Sequence, residues 1–405
     1  MLTKKRGGGM EATFKREATV RKQVFPLFYF LIFFAFGALF PLLSVYLQEE
    51  AQLPGAAIGW IMSLVSIVAM AAQPLWGAAA DYTRKPVELL TVALGVAALF
   101  GLLYSLAGSY RVFVALTVLL SAVQSAIVPL SDSLALRHVH EQGGNYGAIR
   151  LWGSIGFAAA VLVVGWLSDH VAFAVIFYAF SLALLAALVL AARLPRYQAA
   201  PGRLTWLDVR GLLSVRPFCL LLVASFLLFG PIYANNSYFG LLIHELGGTL
   251  TGIGFAFWLA AGSEAPFMKT ADRLIRRFGM TRLLVLAALV SAARWWSYVA
   301  DPPLWFVYIT AIVQGCSVGL AIPTALQYVR RLAPDGVQAT AVSLYAATSS
   351  GLGAWFCTLA GGYLLERWQI GAVYVFFGVC TIAGALVLIW LGKVEKTTES
   401  AGEKG

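Results

Sequence analysis

The chain has 405 residues, of which 60% are hydrophobic and only 12% charged, with a mean hydropathy of +0.80 and a net charge of +10. Soluble domains carry about 25% charged residues, so a chain with half that share has too little polar surface to be a water-soluble globule. The stretches 89–107 and 171–192 hold no charge at all, and each approaches the roughly 20 residues that a helix needs to cross a bilayer.

In chain order, a basic arm (1–23) precedes a first apolar segment, 24–47, which is too long for a signal-peptide core and lacks a cleavage site. Further apolar segments follow at 56–77, 89–107, 112–135, 151–167 and 171–192. The segment 193–217, which carries Pro195 and several arginines, reads as a cytoplasmic linker. A second set runs 218–242, 251–267, 283–300, 304–329, 339–364 and 372–391, and a tail, 392–405, closes the chain. Barrel strands would alternate with period two and be about half as long, so the segments are helices. The expected architecture is an all-α membrane protein with twelve transmembrane helices in two pseudo-symmetric six-helix bundles, 24–192 and 218–391. Short echoes support the repeat. Gly165-Trp166-Leu167-Ser168-Asp169 stands between the fifth and sixth helices, and Gly362-Tyr363-Leu364-Leu365-Glu366 between the eleventh and twelfth. Asp81 and Arg84 follow the second helix as Asp272 and Arg273 follow the eighth.

The positive charge is distributed by loop. Lys4, Lys5 and Arg6 lie in the arm; Arg84 with Lys85, Arg137, and Arg193 through Arg216 lie in alternate loops. So do Lys269 through Arg282, Arg330 with Arg331, and Lys393 through Lys404, whereas the opposite loops hold only Arg111 and Arg367. Basic residues stay on the cytoplasmic side, so both termini are expected there, in a multi-pass protein of the inner (cytoplasmic) membrane. Charges spread over every loop on one side fit the bilayer as partner and exclude a nucleic-acid interface. The four cysteines (Cys219, Cys316, Cys357, Cys380) sit in apolar runs without CxxC spacing, which points to packing and not to disulfides or metal ligation. No Walker loop, nucleophile elbow or metal-ligand spacing occurs, so neither ATP-driven transport nor enzyme catalysis has a basis, and no cofactor is expected.

An ionisable side chain inside a span costs at least about 2.5–3.5 kcal/mol, so each asks for a reason. Asp132, Glu264 and Arg294 lie within spans, and Arg150 stands at the start of the fifth. Asp132 and Arg150, on adjacent antiparallel helices, form either a pair that opens to grip a ligand or a fixed brace. Glu264 follows Gly262-Ser263 and precedes Pro266. It is either a carboxyl that carries a proton, with Arg294 modulating it, or half of a permanent salt bridge to Arg294. Gln73, Gln124, Tyr233, Asn235, Asn236 and Gln314 either line a cavity or join helices by hydrogen bonds. Of these, Asn235 and Gln314 are taken as candidate substrate contacts.

Gly77-Ala78-Ala79-Ala80-Asp81-Tyr82-Thr83-Arg84-Lys85 resembles the loop signature of the major facilitator superfamily, G-x-x-x-D-[RK]-x-G-[RK]-[RK], with Tyr82 in place of a basic residue and Arg84 in place of glycine. Gly77, Asp81 and Arg84 are the conformational loop motif this implies. The block from Tyr146 to Phe157 resembles the fifth helix of the phenylpropionate permease branch, which is related to lactose permease and the nucleoside–proton symporters. Arg294-Trp295, Gln314-Gly315 with Gly319, and Gly351-Leu352-Gly353 are similar to the same branch, and the resemblance covers 25–391. It implies the major facilitator fold and proton-coupled import of a small organic solute such as a sugar, nucleoside or aromatic acid, by a monomer. It further implies that Asp132 and Arg150 hold substrate hydroxyls while Phe157 stacks on the ring. Gln314 and Ser317 occupy the places of the histidine and glutamate of the lactose permease relay, which leaves Glu264 as the proton candidate. The alternative on the same fold is a proton-driven efflux carrier for a drug or metabolite. The proline-containing fifth-helix motif of drug antiporters is absent, since Gly153-Ser154-Ile155-Gly156 continues without proline.

Overall fold

The computed structural model describes residues 6–143, 145–195, 211–334 and 337–402. Lys4, Lys5, Lys404 and the central part of the expected linker, 196–210, lie outside them.

Thirteen α-helices appear among the described residues. They are α1 (Arg6–Glu49), α2 (Gly55–Thr83), α3 (Pro86–Tyr104), α4 (Tyr110–Gln124), α5 (Ile127–Gln142), α6 (Tyr146–His170) and α7 (Val175–Ala191). After them come α8 (Arg216–Glu245), α9 (Leu250–Phe278), α10 (Met280–Ser297), α11 (Leu304–Leu332), α12 (Gln338–Ala346) and α13 (Ala354–Gly402). Local chemistry sets several starts. Pro86 opens α3 at a position where its missing N–H costs nothing. The Asn145 side chain accepts from Gly147 N–H at the head of α6, and Thr249 accepts from Gly252 N–H at the head of α9.

The helices resolve into the twelve expected spans, several of them longer than expected or interrupted. The fourth span is two helices, α4 and α5, joined through Ser125 and Ala126. The eleventh consists of α12, a π-helical turn (Ala347–Gly353) and the start of α13. α13 itself breaks at Trp368 and Gln369, where Gln369 has φ +69°, and this separates the eleventh span from the twelfth. α9 runs to Phe278, eleven residues past the expected end at 267. Its charged last turns remain helical beyond the apolar segment, because the backbone bonds inside a helix need no apolar surroundings.

Two groups of helices pack internally. α1 lies against α6 and α7, α3 against α7, and α2 against α4; in the second group α8 and α10 lie against α13, and α9 and α10 against α11. The groups meet where α2 touches α13, α6 touches α9 and α1 touches α8. One end of the molecule carries Arg84, Lys85, Arg276, Arg277, Arg330 and Arg331 and is called the basic end; the other carries Glu49, Asp169, Glu245 and Glu366 and is called the acidic end.

Candidate substrate cavity and coupling residues

The two groups clasp each other at the acidic end. A Cβ built on Gly59 of α2 would fall 2.5 Å from the Cα of Gly362 in α13, and one on Gly165 of α6 would fall 2.6 Å from the carbonyl oxygen of Leu250. Only glycine permits such helix approach. Four residues after each of these α13 and α6 glycines stands a carboxylate. The Glu366 Oε2 accepts from Ala56 N–H at 2.8 Å, at the head of α2. Asp169 accepts from Leu250 N–H at 3.0 Å and Thr251 N–H at 2.8 Å, at the head of α9. Each carboxylate thus meets unpaired N–H groups and the positive end of a helix dipole across the boundary between the groups.

From this clasp the same helix faces diverge toward the basic end. Gly59, Met62, Ser66, Gln73 and Gly77 follow helical spacing along one face of α2. Gly59 touches α13, Met62 and Ser66 line a cavity, Gln73 is exposed, and Gly77 meets nothing within 4 Å. On α9, Phe257, Ala261, Glu264 and Met268 likewise share a face. Phe257 packs on Phe157 of α6, with ring centroids 6.4 Å apart, and the other three border open space. The central space is therefore closed at the acidic end and open at the basic end.

Beneath the clasp lies a cavity of about 260 Å³, bounded by both groups. Phe40, Phe157, Tyr233 and Phe257 give it aromatic walls, while Ser66, Asn236, Ser237, Ser350 and Thr358 bring hydroxyl and amide groups. Its lining contains no ionisable acid or base apart from the tyrosine phenol. Ser350 belongs to the π-helical turn, a distortion frequent at functional sites. Further along the α6–α9 seam lies a second space of about 610 Å³, bordered by Leu151, Ser154 and Ala158 on one side and Ala261, Glu264 and Met268 on the other. Tyr233 of the upper cavity lies within electrostatic reach of Glu264.

The sequence-derived candidates fall into separate places. Phe157 lines the upper cavity. Asp132 accepts a 2.6 Å hydrogen bond from the Tyr29 hydroxyl, with Tyr146 adjoining both. Arg150 lies near this cluster, its guanidinium carbon 4.2 Å from the Phe33 ring centroid, and among the described residues it forms no ion pair with Asp132. A cation over a ring face is held by the ring's quadrupole. Arg150, Ser154 and Phe157 nonetheless share one face of α6, so the guanidinium lies two turns below the cavity.

Asn235 points away from the cavity. It is fully buried, accepts from the Tyr374 hydroxyl at 3.1 Å and approaches Gln314 at 3.5 Å. The neighbouring Asn236 faces the open space instead. Arg294 is only 4% exposed; its Nε donates to the Tyr298 hydroxyl at 2.8 Å, and the rings of Trp295, Tyr298 and Phe239 surround the guanidinium. No ion pair joins it to Glu264 among the described residues. Ser317 bonds Ser291 at 2.7 Å and the Ala287 carbonyl at 2.9 Å, and so ties α11 to α10. Gly77, Asp81 and Arg84 lie exposed at the open end. Arg84 has φ +54°, a conformation glycine adopts without strain, and its N–H closes α2 by bonding Ala80 O. Ser66, Ser350, Thr358 and Phe257 had no distinguishing mark in the sequence; Asn236 was visible only as one of several polar residues.

The MFS_1 like family matches residues 24–377 of the chain. The "Maltose permease" of Geobacillus stearothermophilus is 80% identical over 98% of this chain and 100% of its own length. A "Probable 3-phenylpropionic acid transporter" of Escherichia coli (strain K12) is 25% identical over 86% of this chain and 92% of its own. Among solved structures, the nucleoside transporter NupG shares the fold, with a TM-score of 0.83 at 17% identity, covering 92% of this chain and 99% of that one.

Proposed function

This chain belongs to the MFS_1 like family and is a multi-pass membrane transporter of the major facilitator type, and from that premise we propose that it imports a neutral sugar of the maltose kind together with protons. The neutral lining of the upper cavity carries the reading. An aromatic acid such as phenylpropionate needs a cation for its carboxylate, whereas Ser66, Asn236, Ser237, Ser350 and Thr358 offer the neutral donors and acceptors that sugar hydroxyls use. Phe157 and Phe257 supply apolar faces for a sugar ring. The 80% identity to a maltose permease agrees with this substrate class.

Alternating access supplies the mechanism. Basic residues crowd the open end, so that end is the cytoplasmic one, both termini lie inside, and the chain sits in the inner membrane facing inward. The sugar reaches the upper cavity when the acidic-end clasp opens, and leaves toward the cytoplasm in the arrangement seen here. Glu264 carries the proton: it borders the space along the α6–α9 seam, lies within reach of Tyr233, and has no cationic partner among the described residues. Asp132, bonded to Tyr29, and Arg150, two turns from Phe157 on α6, serve as a second station for sugar hydroxyls. The two halves of a single chain enclose the cavity, so a monomer suffices.

Counterflow in proteoliposomes tests the substrate. Radiolabelled maltose should exchange into vesicles preloaded with unlabelled maltose and accumulate when an inward proton gradient is imposed. Accumulation of 3-phenylpropionate with no exchange of maltose would overturn the sugar reading, and exchange without gradient-driven accumulation would remove the proton.

A further inference from the structure

The space of about 610 Å³ along the α6–α9 seam is also a crevice in the flank of the molecule. On α6 its wall includes Ile155 and Leu162, two residues before and five after Phe157. At 3.6 residues per turn those positions lie across the helix from Phe157, so this wall turns away from the upper cavity. Ile155, Val163, Trp258 and Met268 are exposed, as apolar side chains facing hydrocarbon would be. Ala159, Ala261 and Gly262 leave room between them.

One charged side chain borders this apolar space. Glu264 lies seven residues past Phe257, on the face of α9 that leads to the upper cavity, so it stands at the inner side of the crevice. Among the described residues its carboxylate makes no ion pair and no side-chain hydrogen bond. No cation among the described residues lines the crevice: Arg150 lies over the Phe33 ring instead, and Lys269, next to Met268, is outside the lining. A carboxylate inside a span is costly alone and tolerable with a cation beside it. A strongly hydrated cation would lose its water between these walls, whereas a large apolar cation has little to lose. The indole face of Trp258 attracts such a cation as well. The volume falls within the roughly 300–1,000 Å³ of sites that enclose molecules of drug size.

We propose that the α6–α9 crevice binds a lipophilic monovalent cation that enters sideways from the bilayer, pairs with the Glu264 carboxylate and packs on Trp258. One helix group supplies α6 and the other α9, so an occupant that fits their present spacing favours the arrangement closed at the acidic end. The site needs only a carboxylate at Glu264 and is independent of which solute the upper cavity carries.

The full-length protein in nanodiscs of dioleoyl phosphatidylcholine is titrated with radiolabelled tetraphenylphosphonium, and empty nanodiscs give the background of partitioning. One cation should bind per protein. Neither uncharged triphenylphosphine oxide nor hydrophilic tetramethylammonium should displace it. Glu264→Gln should weaken binding at least about tenfold, since it removes the opposite charge. Trp258→Ala should weaken it severalfold, and Ala159→Trp should abolish it by filling the crevice. These two variants keep the carboxylate and serve alone if Glu264→Gln does not fold; melting curves report folding. The cation should also slow labelling of Asn236→Cys, in a background without the four native cysteines, by an impermeant maleimide from outside. All of these readings are made without sugar, so their failure is distinct from a failure of the maltose reading. Equal displacement by triphenylphosphine oxide, or undiminished binding in folded Glu264→Gln or in both crevice variants, would overturn the site. An unchanged labelling rate with the cation bound would overturn its hold on the closed arrangement.

Discussion

The carboxylate of Asp169 grips Thr251 twice, accepting from its backbone N–H at 2.8 Å and its hydroxyl at 2.5 Å. Asp169 lies in the last turn of α6 and Thr251 in the first turn of α9, so these bonds join the two helix groups. Glu366 and Ala56 form the counterpart between α13 and α2. The fifth span thus stands to the eighth as the eleventh stands to the second, and two latches of the same design hold the acidic end shut.

Removing a latch should open that end. A hydrogen bond to a charged group contributes about 1.5–3 kcal/mol, and 1.4 kcal/mol is a factor of ten in an equilibrium constant. Asp169→Ala combined with Glu366→Ala should therefore raise the population open at the acidic end by more than tenfold. A cysteine introduced at cavity-facing Asn236, in a background without the four native cysteines, should react correspondingly faster with an impermeant maleimide from outside. An unchanged rate would mean that glycine packing alone holds the closure.

Glu264→Gln separates coupling from binding. The glutamine has no proton to release, so uphill maltose accumulation should fall to background while counterflow, which needs no net proton movement, continues at a comparable rate. Loss of both activities would make Glu264 a substrate or packing residue. Retained accumulation would move the proton to Asp132.

Arg150 and Phe157 occupy one face of α6 at different depths, and their replacement should be felt differently. Phe157→Ala removes an aromatic wall of the cavity and with it the apolar surface a sugar ring would cover, worth about 1.5–3 kcal/mol for a fully buried ring. Maltose affinity should drop roughly tenfold, as measured by ligand titration of the purified protein. Arg150→Ala should abolish binding if the second station is required for occupancy. Unaltered affinity in a folded Arg150→Ala protein would leave the guanidinium only its contact with Phe33.

Gly315 should tolerate no side chain. A Cβ there would lie 2.0 Å from the Ser263 hydroxyl and 2.3 Å from the Ala260 carbonyl oxygen, so α9 and α11 would have to separate. Overpacking of this kind costs about 1–3 kcal/mol, and Gly315→Ala should melt at a lower temperature than the parent in the same detergent. Because Glu264 lies one residue past Ser263, proton-driven uptake should suffer with it. An unshifted melting curve would show that the α9–α11 contact relaxes freely.

Much of the architecture was legible because the bilayer imposes it locally. Each apolar run must cross as a helix, and the basic residues sort by loop, so spans can be read from runs of about twenty residues without any tertiary knowledge. The latches left a linear trace too, as the matching stretches Gly165 to Asp169 and Gly362 to Glu366. The rotation of each helix left almost none. A transmembrane helix is apolar toward lipid and toward its neighbours alike, so no 3.6-residue stripe marks the cavity face. Tertiary structure alone decided that Asn236 faces the upper cavity while Asn235 turns to Tyr374, that Tyr29 takes Asp132 across 103 residues, and that Arg294 is enclosed by rings instead of meeting Glu264. The π-helical turn that brings Ser350 to the cavity lies against α2, α8 and α13, and Thr348, Ser349 and Ser350 each bond the carbonyl four residues back.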